Sequence, residues 1–378
     1  MTKLMGLEGF IKDVRYQAYL ADDLISYDFT EFDVNHVKSY GSINHPNGRI
    51  AYSKWTSPKR TRTYPFARLY NTYNAPKILT IIPVMKDEGL DGDLDKIQYS
   101  TISWMNLLNV YIVLAYYEKA DKNRSLKQNA RNKLTNQKLN TASVNEQINS
   151  ILSYKQSALH WNRSLVEDHL ANAYEKAILA YVNISSKTKV QVHSRGIKLE
   201  YLKKIKEDHQ HFKDSSLKGS QGAALRESKT KHAKEYLEEG EKSIFSIKNY
   251  LGGHYHLTAD EILRKKSKYI IQESKNSTQK FLPSLSDIKD GLFKLILFAN
   301  LDSLKVNGRE VQFSTCLKLT GYKVKENIKL PCAEKELDKF ITINKGRIAK
   351  GQVGILKKLN QEAMRNNNLT VEIGGNNG

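Results

Sequence analysis

The sequence has little cysteine and no long apolar run. Cys316 and Cys332 are the only cysteines in 378 residues, which is too few for a disulfide framework and compatible with a reducing compartment. No stretch reaches the roughly 18–20 apolar residues that a membrane span requires, and the first residues lack the apolar core of a signal peptide. The sequence therefore predicts a cytoplasmic protein with no membrane segment.

Motifs for zinc and nucleotide binding are also missing. No Cys/His spacing matches a zinc site, and no glycine-rich Walker A loop is found, so no nucleotide cofactor is expected. Acidic residues are in deficit: 40 Asp and Glu against 60 Lys and Arg leave a net charge of +20. This excess favours a polyanionic partner, although a ribosome or an acidic membrane surface would satisfy charge alone.

Residues 256–301 hold the most informative side chains. The apolar run Tyr269–Ile271 is too short for a helix and follows a turn signal, so it is interpreted as a buried strand. Asp260 precedes this strand, and Glu273 and Lys275 stand at its end. Residues two apart in a strand share a face. A hairpin between the two segments would place Asp260 beside Glu273 and Lys275.

Two carboxylates and one ammonium suit metal-assisted hydrolysis of a phosphodiester. Carboxylates are hard oxygen ligands for Mg²⁺ shared with a substrate phosphate. The metal polarises the phosphoryl oxygen and lowers the pKa of the attacking water, while a lysine orients that water or balances the developing charge. The alternative interpretation is a surface hairpin with one incidental ion pair.

The features of this stretch follow in a fixed order: Asp, an apolar strand, Glu-x-Lys and a helix that carries Lys289 and Lys294. This order resembles the PD-(D/E)XK family of restriction-endonuclease-like nucleases. The resemblance covers roughly residues 236–325, and Ala259 stands where the motif has proline. It implies a Mg²⁺-dependent endodeoxyribonuclease whose nearest analogue is a type II restriction enzyme. Asp260 and Glu273 would hold Mg²⁺, and Asp260, Glu273 and Lys275 would be catalytic. Double-stranded DNA is the implied partner, and its two-fold symmetry favours a homodimer.

The expected fold class is mixed α/β, in three segments. Residues 1–118 form an α/β unit for recognition or structure, and residues 119–235 form a basic linker and helical region. Residues 236–378 form the nuclease domain, a mixed sheet flanked by helices. Helices are predicted over 145–182, 234–251, 287–301 and 333–366, and a hairpin at Asn307-Gly308. Residues 187–234 are expected to be flexible or loosely helical, and the tail from residue 366 is expected to fray.

The N-terminal segment predicts strands at 49–56, 64–73, 77–85 and 110–117, with a helix from Asp93. An acidic turn over 87–95 follows Lys86, and three roles stay open for it: capping of the helix, a degenerate second site, or recognition. Basic residues predict phosphate contacts, or alternatively only a solvated surface: Lys54, Lys59, Arg60, Arg62, Arg68 and, on the helix after the site, Lys289.

Two other functions agree with the same sequence. A nucleic-acid-binding protein without catalysis would explain the charge, with the hairpin acids in structural ion pairs. A nuclease of the same fold could serve repair or defence against phage rather than restriction. Cleavage of DNA in the presence of Mg²⁺ separates the first from the nuclease hypothesis, and the pattern of products separates the second.

Overall fold

The computed structural model describes residues 6–12, 14–16, 19–20, 25–58, 75–125, 132–207, 241–249, 254–265 and 268–375. The chain forms two compact units. The small-sheet unit is Asp23–Lys218, and the large-sheet unit combines Met1–Asp22 with Gly219–Gly378. This division differs from the three expected segments, because residues 119–207 belong with the small sheet and the chain start belongs with the large one.

Both units contain helices as well as strands, which confirms the predicted mixed α/β class. The strands are β1 (Gly6–Ile11), β2 (Ser26–Asp28), β3 (Tyr40–His45), β4 (Gly48–Lys54), β5 (Lys77–Pro83), β6 (Met85–Asp87), β7 (Leu94–Lys96), β8 (Tyr111–Ala115), β9 (Tyr117–Lys122), β10 (Leu134–Leu139), β11 (Glu241–Asn249), β12 (His254–Lys265), β13 (Lys268–Asn276), β14 (Ser303–Val306), β15 (Arg309–Glu310), β16 (Gln312–Gly321), β17 (Ile328–Leu330) and β18 (Leu369–Gly375).

The helices are α1 (Tyr99–Leu107), α2 (Thr141–Ser153), α3 (Ala158–Ser164), α4 (Leu170–Thr188), α5 (Arg195–Glu207), α6 (Leu285–Ala299), α7 (Glu334–Ile343) and α8 (Lys350–Arg365). A π-helical turn, Leu165–His169, joins α3 to α4. Within the described residues, no helix has the length and apolar character needed to cross a membrane.

The small-sheet unit is built on strands in the order β2-β3-β4-β5-β8. β5 pairs in parallel with both β4 and β8. Nearly every residue of β5 and β8 is buried, as expected for parallel strands covered on both faces. The strands predicted at 49–56, 77–85 and 110–117 are confirmed, and the one at 64–73 lies outside the described residues.

Three predictions for this unit are wrong. The helix expected from Asp93 begins at Tyr99, because Leu94–Lys96 pairs with β6 as a hairpin. The expected linker after residue 118 contains β9 and β10, which pair with each other. The single helix over 145–182 is interrupted after α2, where the Lys77 ammonium donates to the carbonyl oxygens of Ile151, Leu152 and Tyr154 at 2.5, 3.0 and 2.6 Å.

The large-sheet unit contains a mixed sheet in the order β15-β14-β1-β11-β12-β13-β16-β18-β17. β11, β12 and β13 form an antiparallel meander, and β16 lies parallel to β13. β1 lies parallel to β11, with Gly6 opposite Ile244. This pairing ties the start of the chain into the sheet that carries Asp260, Glu273 and Lys275.

Helix α6 connects β13 to β14 and packs on β13 and β16. It begins where the Ser284 hydroxyl accepts a hydrogen bond from the backbone N–H of Asp287, at 3.2 Å, as an N-cap residue does. Its buried residues recur at helical spacing: Ile288, Leu292, Leu295 and Ile296. The predicted helix over 287–301 is confirmed, and it is pressed against the strand of the candidate site.

Two further predictions for this unit are wrong. Residues 241–249 are strand β11 rather than part of a helix over 234–251, because burial alternates at Ser243, Phe245 and Ile247. The tail expected to fray is β18, which pairs in parallel with β16. The Asn307-Gly308 hairpin is confirmed, with φ of 51° and 77°, the positive values that a type I′ turn requires.

Candidate active site

The β12–β13 hairpin brings the three predicted residues together. Ile262 pairs with Ile271 and Glu261 with Gln272. At the next position the backbone N–H of Ser274 donates to the Asp260 carboxylate instead, at 2.9 Å. The Asp260 side chain therefore lies against the backbone between Glu273 and Lys275.

A β-bulge explains why Asp260 leaves the regular ladder. Glu241 of β11 pairs with Ile262, and Ser243 pairs with Ala259, so two steps along β11 correspond to three along β12. The extra residue falls at Asp260 or Glu261. Bulges interrupt pairing and re-aim a side chain, and they are frequent beside active sites. Nothing in the local sequence signals this bulge.

Glu273 is a buried carboxylate without hydrogen-bond donors. Its exposed fraction is 0%, and neither oxygen has a hydrogen-bond partner among the described residues. The nearest cation is Lys294, whose ammonium lies 3.4 Å from Oε1. Burial raises the pKa of Glu273 to about 8, Asp260 adds to the rise, and the charges of Lys294 and Lys275 oppose it. Such an unsatisfied buried group is rare in folded proteins.

Lys275 is held as an ammonium. Its side chain is 19% exposed, and Nζ lies 3.2 Å from Oδ2 of Asp290 on α6. Burial lowers the pKa of Lys275, but Glu273, Asp290 and Asp260 together outweigh burial and raise it. At neutral pH this side chain is therefore a donor and a positive charge, not a proton acceptor.

A glycine gives the lysine its space. A Cβ placed on Gly291 would lie 2.7 Å from Leu317 Cδ1 and 3.2 Å from Lys275 Cε. A larger residue would require the side chains of Leu317 and Lys275 to shift. Sequence reasoning missed both Asp290 and Gly291, since neither belongs to a local motif and both matter through the packing of α6.

The donors present fit Mg²⁺. The described residues contain no group of three or more His, Cys, Asp and Glu placed to hold a metal. Mg²⁺ is usually bound by one or two protein carboxylates, with waters and substrate phosphates completing its octahedron. Asp260 and Glu273, whose oxygens accept no hydrogen bond from the described residues, supply such a pair.

The opposite face of the hairpin carries side chains that bond to one another. The Gln272 amide donates to Glu261 Oε2 at 2.8 Å and lies 3.4 Å from the Ser274 hydroxyl. All three side chains are buried. As the strand alternation predicts, Gln272 and Ser274 point away from the face that carries Glu273 and Lys275.

The buried acid of the acidic turn, Asp87, is bonded to other parts of the small-sheet unit. Asp87 has 0% exposed surface and lies 2.7 Å from the Lys198 ammonium. It also accepts hydrogen bonds from the backbone of Gly89 and His193, at 2.9 and 3.1 Å. The capping role is wrong, because α1 has no acid in its first turn. Both oxygens of Asp87 are thus engaged, and the described residues of this turn hold no group of three or more side chains placed to bind a metal.

The predicted DNA-contacting residues differ in what the structure says of them. The Lys54 ammonium donates to the carbonyl oxygens of Val34 and Val37 at 2.5 and 2.7 Å, a structural engagement that argues against a phosphate contact. Lys289 lies near Glu362. Burial raises the pKa of the Glu362 carboxyl, and the positive charge of Lys289 opposes this rise. The remaining candidates lie outside the described residues: Lys59, Arg60, Arg62 and Arg68.

Comparison of the chain with protein-family models, with curated proteins and with solved structures finds no match.

Proposed function

We propose that this protein is a Mg²⁺-dependent DNA endonuclease, and specifically a type II restriction enzyme that cleaves double-stranded DNA at a defined sequence. The observation that carries the proposal is Glu273, a fully buried carboxylate that accepts no hydrogen bond from the part of the chain that the structure describes and lies beside Asp260 and the charged Lys275. An unsatisfied buried carboxylate costs stability, so a functional role is the economical explanation for it.

Asp260 and Glu273 are the residues that would hold the metal. A bound Mg²⁺ supplies Lewis-acid polarisation of the phosphoryl oxygen and a more acidic attacking water. The hydrogen bond from the Ser274 N–H fixes the orientation of Asp260. Burial of Glu273 keeps water away from one side of the site, where charge interactions are consequently stronger.

Lys275 serves the reaction as an ammonium. Negative charge accumulates on the phosphoryl oxygens as the phosphodiester is attacked, and a fixed cation beside them stabilises that charge. Because neighbouring carboxylates raise its pKa, Lys275 donates a hydrogen bond rather than removing a proton from water.

DNA as the substrate and restriction as the role are supported by properties of the whole sequence rather than by the site. A net charge of +20 favours a polyanion through counterion release. No Walker A loop occurs in the sequence, which agrees with cleavage that needs no nucleotide hydrolysis. A homodimer would match the two-fold symmetry of double-stranded DNA.

The test is a digest of plasmid and phage DNA with and without Mg²⁺. Wild type is expected to give discrete bands only with Mg²⁺, Asp260→Asn to give none, and Lys275→Met to be slower by about 10²–10³-fold, as for loss of one charge-stabilising group. Asp338→Asn is the control, because Asp338 is an exposed helical acid paired only loosely with Lys357, at 3.9 Å.

Two outcomes would replace the proposal. A Mg²⁺-dependent smear would retain the nuclease and remove sequence specificity, which favours repair or defence against phage. Intact DNA that is strongly retarded in a gel, with retardation unaffected by EDTA, would establish binding without catalysis.

A further inference from the structure

Helix α6 carries two charged residues, Asp290 and Lys294, that lie beside oppositely charged residues of β13. Asp290 lies 3.2 Å from Lys275 and Lys294 lies 3.4 Å from Glu273, each measured between charged atoms. Residues four apart in a helix are separated by about 6 Å along its axis, and residues two apart in a strand by about 6.6 Å. The two elements therefore present complementary charges at nearly the same spacing.

The Asp290–Lys275 contact differs from an ordinary surface ion pair. The Asp290 side chain is 51% exposed, whereas that of Lys275 is 19% exposed. The lysine stem lies against Gly291, where even a Cβ would come within 3.2 Å of Cε. The stem is thus confined by packing, and its ammonium is directed by the carboxylate of the preceding residue on α6.

We propose that Asp290 is a positioning residue that holds the Lys275 ammonium where it meets the substrate phosphate. Asp290 acts through Lys275 and does not touch the reacting atoms. The inference rests on the proposed nuclease function and adds to it a residue outside the Asp…Glu-x-Lys pattern.

A fixed ammonium is worth more to catalysis than a mobile one. Small displacements of a catalytic group can cost up to about 10²-fold in rate. Without the carboxylate, Lys275 retains Glu273 as a neighbour but loses the partner that draws Nζ towards α6. Asp290→Asn is therefore expected to lower kcat by about tenfold, while KM for DNA and the Mg²⁺ concentration at half-maximal rate stay unchanged.

The experiment is a double-mutant cycle measured as plasmid cleavage. Wild type, Asp290→Asn, Lys275→Met and the double variant are compared under saturating Mg²⁺. Because Asp290 acts through Lys275, its substitution should cause no further loss in the Lys275→Met background. Asp290→Glu should recover part of the rate, since it restores the carboxylate, and Asp338→Asn should cut like wild type.

Three results would overturn the inference. An unchanged kcat in Asp290→Asn would show that the contact does nothing for the reaction. The same fold-loss in both backgrounds would separate Asp290 from Lys275. A higher requirement for Mg²⁺ with an unchanged maximal rate would make Asp290 a metal ligand. Each of these requires a wild type that cuts, whereas a wild type that leaves DNA intact with Mg²⁺ refutes the proposed function itself.

Discussion

Asp87 in the small-sheet unit and Glu273 in the large-sheet unit are both fully buried carboxylates on strands, and each has a lysine ammonium within 3.4 Å. Their surroundings are opposite. Asp87 is bonded to Lys198, His193 and Gly89, whereas Glu273 accepts no hydrogen bond from the described residues. Burial and a nearby lysine are common to both residues, so neither of these two features distinguishes a functional site from a structural one. The satisfaction of the oxygens separates the two.

The proposed metal site would account for this difference. A structural carboxylate gains by making every bond available to it, because unmet polar groups in the interior are costly. A carboxylate intended for a metal must keep its oxygens available and bear that cost until the metal binds. In agreement with such a cost, burial raises the pKa of Glu273.

The largest effect on stability is expected at Asp87. Asp87→Asn leaves the buried Lys198 ammonium without its counter-ion, and breaking a buried pair in this way costs about 3–5 kcal/mol. Denaturant unfolding measures the loss. Glu88→Gln is the control in the same turn, since Lys86 and Glu88 keep 19% and 22% of their side chains exposed, whereas Lys198 and Asp87 keep 3% and 0%, so the loss should be smaller.

Equal and small losses in Asp87→Asn and Glu88→Gln would break the comparison, because Asp87 would then not be a structural anchor. Cleavage per folded molecule is expected to be unchanged in both variants. Loss of cleavage in a folded Asp87→Asn protein would return the acidic turn to the list of candidate sites.

The second effect is a pH dependence of stability caused by Glu273. Its pKa in the folded protein is about 8, against an ordinary 4.5. The folded state therefore favours the protonated form, so the stabilisation is complete below pH 4.5 and is lost as pH rises through about 8. The loss is on the order of a few kcal/mol.

Glu273→Gln should remove this pH dependence, because the neutral amide does not titrate. Unfolding by urea at acidic, neutral and alkaline pH compares the two proteins, and the variant should gain on wild type as pH rises. Parallel pH profiles would mean that Glu273 is ionised and solvated in the folded protein, contrary to its burial.

A smaller effect is expected at Glu362, another buried glutamate of the large-sheet unit. It accepts hydrogen bonds from the Tyr16 hydroxyl and the backbone N–H groups of Tyr19 and Leu20, at 2.5, 3.0 and 3.1 Å. Glu362→Gln puts an amide donor among these donors and should cost about 1–3 kcal/mol in thermal or chemical unfolding. A gain in stability would contradict the role of Glu362 as a bonded anchor.

Much of the site's scaffold could be predicted from local sequence. The apolar run before Glu273 predicts β13, the helical spacing after Asp287 predicts α6, and Asn307-Gly308 predicts the hairpin that follows. Alternation along β13 also predicts that Glu273 and Lys275 share a face. These are properties of neighbouring residues, so local patterns are sufficient.

Other features depend on distant partners. Ile244 and Ile247 are spaced as in a helix, yet Phe245 and Ile247 alternate as in a strand, and short apolar runs do not decide between the two. Pairing with β1, more than two hundred residues earlier in the chain, decides for the strand. The Asp260 bulge and the approach of Asp290 to Lys275 are likewise products of the assembled sheet.

The proposed catalysis depends on Glu273, the buried carboxylate that accepts no hydrogen bond from the described residues. The most direct measurement is Mg²⁺-dependent plasmid cleavage by Glu273→Gln, with its free energy of unfolding determined on the same preparation. We expect a protein at least as stable as wild type above pH 8, with cleavage reduced about a thousandfold or more, since metal assistance contributes several kcal/mol. A folded Glu273→Gln protein that cuts DNA like wild type would contradict the account.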